Sequence, residues 1–484
     1  MPASRLRIAL LSSLLALLCS ACGGGGGGGG GGLALPAAAS GTTADAGTSS
    51  ATAADTTTTA VSDQPVAAVD LDAALRAQLS ANGIVAPARP VVDAALFALG
   101  QNLFSSTLLS GNQKVACASC HATGNAGVDG LALGIGVDGT GSPPTRSGTP
   151  VIHRNTPALV NHGQGNRRFL FWDGRVAVRA DGGFDTPAGN RLPAGLRDVT
   201  AAQALFPLIS RTEMLGAYDP ADGNALADLV SDDAVEHNPQ PVWDALMQRL
   251  RANAGFAAQL AAAYPGMAPA DMGIAQAANA LSAFQAQRWY ELGSSNRLIA
   301  YAAGTGDLPE AAKRGGLLFF GQARCAGCHT GPLLSDQQFH NLAVPQQGPG
   351  FGSGAAQTPP RDLGRYETTG LDADRYAFLT PSLWEVKNTF PYMHDGVYAT
   401  LEQVVRHHLD AAGAANAFRC PATPSVAGNA VPCQDSQNAP ALYADMLARL
   451  APEMRTPVVL TDTELADLLA FLDVLADGNN TAVR

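Results

Sequence analysis

The chain has 484 residues, with 30 Lys and Arg against 41 Asp and Glu and a formal net charge of -11. That balance excludes the basic surface that nucleic-acid binding requires and suits a protein meeting neutral or basic partners. Apolar residues make up 46%, enough for sizeable cores, and the roughly 400 residues with helical patterning suit two domains better than one.

Residues 1–22 read as an export signal. Arg5 and Arg7 supply positive charge, Leu6 to Leu18 is an apolar stretch too short to span a bilayer, and Ser20 and Ala21 are small. Small residues before Cys22 resemble a bacterial lipoprotein cleavage site, which would attach the chain to a membrane through a lipidated Cys22. Cys19 stands where that pattern prefers Leu, so ordinary signal cleavage nearby is the alternative. Residues 23–65 are glycine from Gly23 to Gly32 and then mostly Ala, Thr, Ser and Asp. Such a segment cannot form a core and reads as a disordered tether. About forty residues of coil span roughly 35 Å r.m.s..

Helical patterning begins over Val66 to Leu79. Pro90 to Phe104 sets Leu96, Leu99 and Leu103 on one face, and Cys117-Ala118-Ser119-Cys120-His121 follows. Val128 to Pro150 and Asp181 to Leu196 are Gly/Pro-rich and predict loops. Ile274 to Tyr290 is amphipathic, with a stripe of Ile274, Ala278, Leu281 and Phe284. Glu310 to Phe320 leads into a second motif, Cys325-Ala326-Gly327-Cys328-His329. Thr461 and Glu464 form a capping box ahead of Leu465, Leu468, Leu469 and Leu472. Few segments alternate as strands, so the chain should be mainly α.

The two Cys-x-x-Cys-His runs carry the chemistry. Two thiols at this spacing can each add to one vinyl group of a single porphyrin, while the adjacent histidine ligates the iron. Zinc would need two further ligands at each site, and a dithiol couple has no use for a fixed histidine. Two covalently bound haem c groups are therefore expected, on Cys117, Cys120 and His121 and on Cys325, Cys328 and His329. Cys420 and Cys433 remain outside the motifs and the signal region; in an oxidising compartment they should pair. The loop they would close contributes roughly 3 kcal/mol in the chain-entropy treatment.

Further words surround the motifs. Leu99 to Phe104, Arg154 to Asn161, Phe171-Trp172-Asp173-Gly174-Arg175 and Glu213-Met214 resemble the N-terminal haem domain of bacterial dihaem cytochrome c peroxidases and MauG. Arg314-Gly315, Cys325 to Pro332, Phe339-His340-Asn341, Thr380 to Leu383 and Pro391-Tyr392-Met393-His394-Asp395-Gly396 are similar to the C-terminal domain of that family. The resemblance implies two cytochrome c-like haem domains packed against each other, with few short strands and long loops: residues 66–300, peroxidatic, and 301–484, electron-transferring. It makes His121 and His329 the proximal ligands, places Trp172 between the haems, and makes Gln203 and Glu213 the distal pair. It implies Ca2+ held by Asn155 and the backbone carbonyls of Thr389 and Pro391. Hydrogen peroxide is the implied substrate, a small periplasmic cytochrome c or copper protein the implied donor, and a homodimer a further expectation. Glu213 also has a chemical warrant, because cleaving a bound peroxide requires a proton moved between its two oxygens, a task for a carboxylate in a mostly apolar pocket.

The sequence departs from the family pattern in places. Eight positions before Asn155, where many members carry a gating histidine, stands Ser147; His153 is out of register, so an open peroxidatic site is expected. Seventeen residues beyond Pro391, where the peroxidases have Met and MauG has Tyr, stands His408, with Met393, His394 and His407 as competitors for the distal position. Gly182 to Arg197 reads as an added surface loop, and Trp384 and Glu385 stand where Arg and Asn are common. The leading expectation is a periplasmic dihaem peroxidase drawing electrons through the C-terminal haem. The alternatives are a MauG-like enzyme that oxidises side chains of a partner protein, which Ser147 and His408 favour, and a non-catalytic dihaem electron carrier.

Overall fold

Asp93 caps a helix through its carboxylate, which accepts from the Ala95 and Leu96 amides at 2.9 and 3.0 Å, and that helix begins the first of two similar helix pairs. The computed structural model describes residues 70–476 except 87–88, 125, 220, 222, 232–236 and 291–295. The expected signal and tether lie outside the described residues. In chain order the helices are α1 (Leu71–Ala81), α2 (Ala94–Ser105), α3 (Val199–Gln203), α4 (Gln240–Ala252), α5 (Ala254–Ala263), α6 (Ile274–Arg288), α7 (Arg297–Ala302), α8 (Glu310–Phe320), α9 (Gly352–Ala355), α10 (Tyr366–Thr369), α11 (Leu401–Leu409), α12 (Ala411–Ala417), α13 (Pro440–Ala448) and α14 (Asp462–Asp473). Strands among the described residues are two or three residues long, including the antiparallel set β1 (Phe169–Leu170), β2 (Val176–Val178) and β3 (Phe184–Asp185). The fold is mainly α with long loops, as the patterning predicts.

In the first core α2 crosses α6, burying Leu99, Leu103, Phe104, Leu281 and Phe284. A Cβ on Gly100 would lie 1.9 Å from the Ala280 carbonyl oxygen, so this helix pair needs glycine at the crossing. The second core repeats the device. There α8 crosses α14, and a Cβ on Gly315 would lie 1.8 Å from the Asp467 carbonyl oxygen. Phe319, Leu468, Phe471 and Leu472 fill that core, each worth about 1.5–3 kcal/mol relative to exposure. The predicted capping box forms at the head of α14, with Thr461 and Glu464 bonding each other's backbone amides. Helix α1, which chain order puts with the first half, packs on α8, and its Leu75 and Leu79 belong to the second core. Residues 66–300 therefore do not all serve one core.

A third, smaller cluster gathers Leu363, Tyr376, Ala411, Ala415, Tyr443 and Met446 under α12 and α13. Beside it the expected Cys420–Cys433 disulfide is formed. The hairpin inside that loop, β4 (Ser425–Val426) and β5 (Asn429–Ala430), reaches the long loop of residues 128–150. Val426 and Val431 bury Leu133, and Asn429 donates to the Gly148 carbonyl at 2.8 Å. The long loop is itself pinned by Arg146, 2% exposed, which donates to the Ile135 and Gly136 carbonyls at 2.8 and 2.7 Å.

Candidate active site

The first motif opens with a short 3-10 turn, Cys117–Ser119, which aims both thiols and the His121 ring into one cleft of about 1060 Å³. Gln203 reaches the cleft from the end of α3. Glu213 reaches it from a π-helical turn, Arg211–Leu215. That wide turn is held on both sides. Ser210 Oγ accepts the Glu213 amide at 3.3 Å, and Arg211 donates to the Ala227 carbonyl at 2.8 Å. Widened turns of this kind recur at functional sites because they re-aim one side chain. Trp172 lines the same cleft and donates its indole N–H to the Asn155 carbonyl at 3.0 Å. Its own carbonyl accepts the Leu379 amide at 2.8 Å, from the second half of the chain. Trp172 also lines a second cavity that runs to Ser382 and Trp384.

The donor set fits a covalent haem. Burial pushes the Cys117 and Cys120 thiols up to about 12, so both are protonated near neutral pH and neither is poised as a dithiol nucleophile. His121 Nδ1 lies 2.5 Å from the Gly127 carbonyl. A carbonyl only accepts, so Nδ1 carries the proton and Nε2 is the free ligand atom. Burial holds this imidazole down to about 4, neutral as ligation requires.

The second motif follows the same rules with a different far side. His329 Nδ1 meets the Leu334 carbonyl at 3.0 Å, and burial pushes the Cys325 thiol up to about 12. Across from it is His408, in the last turn of α11, with ring centres 6.5 Å apart. Two imidazoles bound through nitrogen to one metal at about 2 Å each stand with centres roughly 6 Å apart, so the spacing accommodates an iron between them. His408 Nδ1 bonds the Val404 carbonyl at 2.8 Å, again leaving Nε2.

The competitors fare differently. His407 is fully buried, with Nδ1 2.9 Å from the Tyr398 hydroxyl and Nε2 2.8 Å from the Leu342 carbonyl, so both nitrogens are committed to the core. His394 is stacked on Phe378 with centres 3.6 Å apart, near Arg154 and Asp362. Met393, at φ 74°, packs against the second core.

At the first site Ser147 is exposed on a hairpin. His153 lines the cleft with Nδ1 2.6 Å from the Gly350 carbonyl. Asn155 is buried, and its amide donates to the Leu131 and Ala132 carbonyls at 3.0 and 3.2 Å. Thr389 Oγ1 donates to the Val386 carbonyl at 3.0 Å, and Pro391 precedes the bridge between Tyr392 and Tyr398. Trp384, at the unusual position, is 1% exposed and donates to the Pro332 carbonyl at 2.9 Å, bracing the loop after the second motif. Cys328, Asp336 and His340 lie within reach of one ion among the described residues. A thioether at Cys328 removes one ligand of that set, and His340 instead pairs with Asp336 at 2.9 Å.

A group the sequence did not signal braces Trp172. Arg154 donates in bidentate fashion to Asp362 at 2.6 and 2.8 Å and to Asp173 at 2.7 Å, and Arg175 meets Asp173 at 3.0 Å. All four side chains are buried or nearly so. The two arginines hold the Asp173 carboxyl down to about 2 against the cost of burial, which by itself raises it. The only hint in the sequence was that Arg154, Asp173 and Arg175 fall inside the family words.

Residues 94–294 match the family described as di-haem cytochrome c peroxidase. The two motifs and the cleft point the same way. Over those residues this chain is similar to the di-haem cytochrome c peroxidase family. The cytochrome-c peroxidase IdrP1 of Denitromonas iodatirespirans is 29% identical over 352 residues, 68% of this chain and 76% of that protein. The methylamine utilization protein MauG of Methylorubrum extorquens is 29% identical over 323 residues, 64% and 68% of the two chains. Among solved structures, a MauG-like protein associated with microbial copper homeostasis aligns with a TM-score of 0.53 at 27% identity, covering 82% of this chain and 94% of that one. The diheme peroxidase BthA of Burkholderia thailandensis has the same fold, with a TM-score of 0.53 at 24% identity and coverage of 80% and 87%. As a di-haem peroxidase the chain is an oxidoreductase with two haem c groups, which sets aside the non-catalytic carrier.

Proposed function

We propose that the protein reduces hydrogen peroxide at the His121 haem, with electrons delivered through the His329 haem and Trp172. The observation that carries this reading is the cleft that brings His121, Gln203, Glu213 and Trp172 together. When bound, the haem supplies the redox chemistry that splits the peroxide O–O bond. Glu213 carries a proton from the inner to the outer peroxide oxygen, Gln203 orients the peroxide from the end of α3, and Trp172, fixed by the Asn155 carbonyl, couples the two sites. His153 stays on the Gly350 carbonyl and the site remains open without a gate. The His408 placement favours a second outcome for the same oxidising power, side-chain oxidation on a partner protein. A nitrogen ligand in place of Met gives the second haem a low potential, better suited to sharing oxidising equivalents than to storing an electron.

The setting belongs to the same proposal: export to the periplasm, with membrane attachment through Cys22, supported by the Cys420–Cys433 disulfide, which suits an oxidising compartment. Ca2+ at Asn155 with the Thr389 and Pro391 carbonyls, and a homodimer, complete it.

The deciding experiment is EPR of the oxidised protein followed by peroxide addition. A high-spin signal beside a low-spin one, with the high-spin signal consumed by peroxide, is expected. Two low-spin haems indifferent to peroxide would overturn the proposal. Turnover with a reduced small cytochrome or copper protein then separates the peroxidase from the side-chain oxidase.

A further inference from the structure

The second cavity, of about 720 Å³, shares His121, Pro157, Leu159, Phe171, Trp172 and Gln203 with the active-site cleft, so the two adjoin across these side chains. Its charged lining is of one sign. Arg167 enters it with Nε buried and without a hydrogen-bond partner, and among the described residues no carboxylate pairs with this guanidinium. One Arg167 amino group makes a single 3.3 Å bond to the Val160 carbonyl. Beside it His162, 7% exposed, has Nδ1 buried and unpartnered. Burial alone pushes the Arg167 guanidinium down to about 10, with no acidic neighbour to offset it.

A half-buried cation with its Nε shut off from water and no counter-charge sits at a cost, and arginine has no neutral state to retreat to near neutral pH. An anion in this cavity would relieve that cost, and a planar carboxylate matches the guanidinium fork. The cavity opens onto His121, whose haem carries carboxylate side chains. We propose that Arg167, with His162 beside it, receives a propionate carboxylate of the haem held at His121, next to Trp172. The contact anchors the haem edge facing the second half of the chain. It also sets a fixed positive charge by that haem, which stabilises its electron-richer, reduced state.

This inference rests on the haem reading above, and the experiment separates the two. Arg167→Leu and Arg167→Lys are made in the full haem-loaded protein, haem content is counted by the pyridine haemochrome assay, and both midpoint potentials and the thermal midpoint are measured. Arg167→Leu should keep two haems, lower the potential of the His121 haem, shift the His329 haem less, and lower the melting temperature; Arg167→Lys should recover most of both shifts. Should Arg167→Leu fail to fold, Arg167→Lys and Arg167→Gln carry the test, with a larger downward shift expected for Gln. Unshifted potentials with an unchanged or raised melting temperature would overturn the proposal, because removing an unpaired half-buried cation relieves the fold. A shift confined to the His329 haem would also overturn it. The source of the anion is checked on the unsubstituted protein: a potential independent of added chloride or phosphate is expected, and one that tracks their concentration would assign the site to a free anion instead. A protein lacking two haems would instead defeat the parent reading.

Discussion

The two halves of the molecule solve the same packing problem in the same way and then diverge at the iron. In each, a glycine lets one helix backbone touch another, Gly100 on Ala280 and Gly315 on Asp467, and aromatic side chains close the core beside a Cys-x-x-Cys-His turn. In each, the motif histidine is fixed through Nδ1 by a carbonyl from its own loop. The difference lies across from that histidine. His121 looks into a cleft with a carboxylate and a carboxamide, whereas His329 looks at another imidazole. An equal scaffold thus supports one site that can admit a small molecule and one that suits charge transfer, and the division of labour resides in a few side chains on later elements.

That comparison can be broken at several points. The largest effect is expected from Glu213→Gln, which should leave both haems in place yet slow the reaction with peroxide by about two orders of magnitude or more in stopped-flow measurements; unchanged kinetics would erase the chemical distinction between the halves. Next comes His408→Met, which should raise the potential of the His329 haem by a sizeable part of the roughly 0.8 V range that axial ligands span. A potential that stays put in spectroelectrochemistry would remove His408 from the iron and return Met393 to contention.

The shared scaffold is tested by Gly100→Ala and Gly315→Ala made in parallel. Each Cβ would meet a carbonyl oxygen at under 2 Å, so each should cost about 3 kcal/mol or more by denaturant unfolding, at the upper end of overpacking. A tolerated substitution in one half only would show that the two crossings are not equivalent. The smallest effect concerns acid. The Asp173 carboxyl is lowered from 3.8 to about 2, so the unfolded chain binds its proton first. Its contribution, about 2 kcal/mol, is complete above pH 4 and disappears as the pH falls through 2. Asp173→Asn should flatten that part of the acid-unfolding curve, and an unaltered curve would show that Arg154 and Arg175 do not hold this carboxyl down.

What was legible in the chain follows the reach of each signal. Helices α6, α8 and α14 could be placed because their apolar stripes and caps are local; α8 falls on Glu310–Phe320 as read, while α2 starts at Ala94, four residues after Pro90, because Asp93 takes the cap. Both haem turns were legible from the Cys-x-x-Cys-His pattern, and the disulfide from the two cysteines left outside the motifs and the signal region, given an oxidising compartment. The meeting of Gln203 and Glu213 in one cleft was reachable only through family words, since nothing local announces a π-helical turn. The Arg154, Asp173 and Asp362 group was invisible because Asp362 lies 208 positions from Arg154, and charge pairing over that distance leaves no periodicity. His407 illustrates the opposite hazard. A histidine next to a candidate ligand looks like a competitor until both of its nitrogens are found engaged in the core.

Helix α1 carries a last consequence, for the order of events as the chain is made. The first core is complete within residues 99–289, whereas α1, with Leu75 and Leu79, packs on α7 and α8 in the second core. The first haem turn can therefore collapse into its own core while α1 still waits unpaired for chain more than 200 residues downstream, and closing that long loop should be a slow step in maturation.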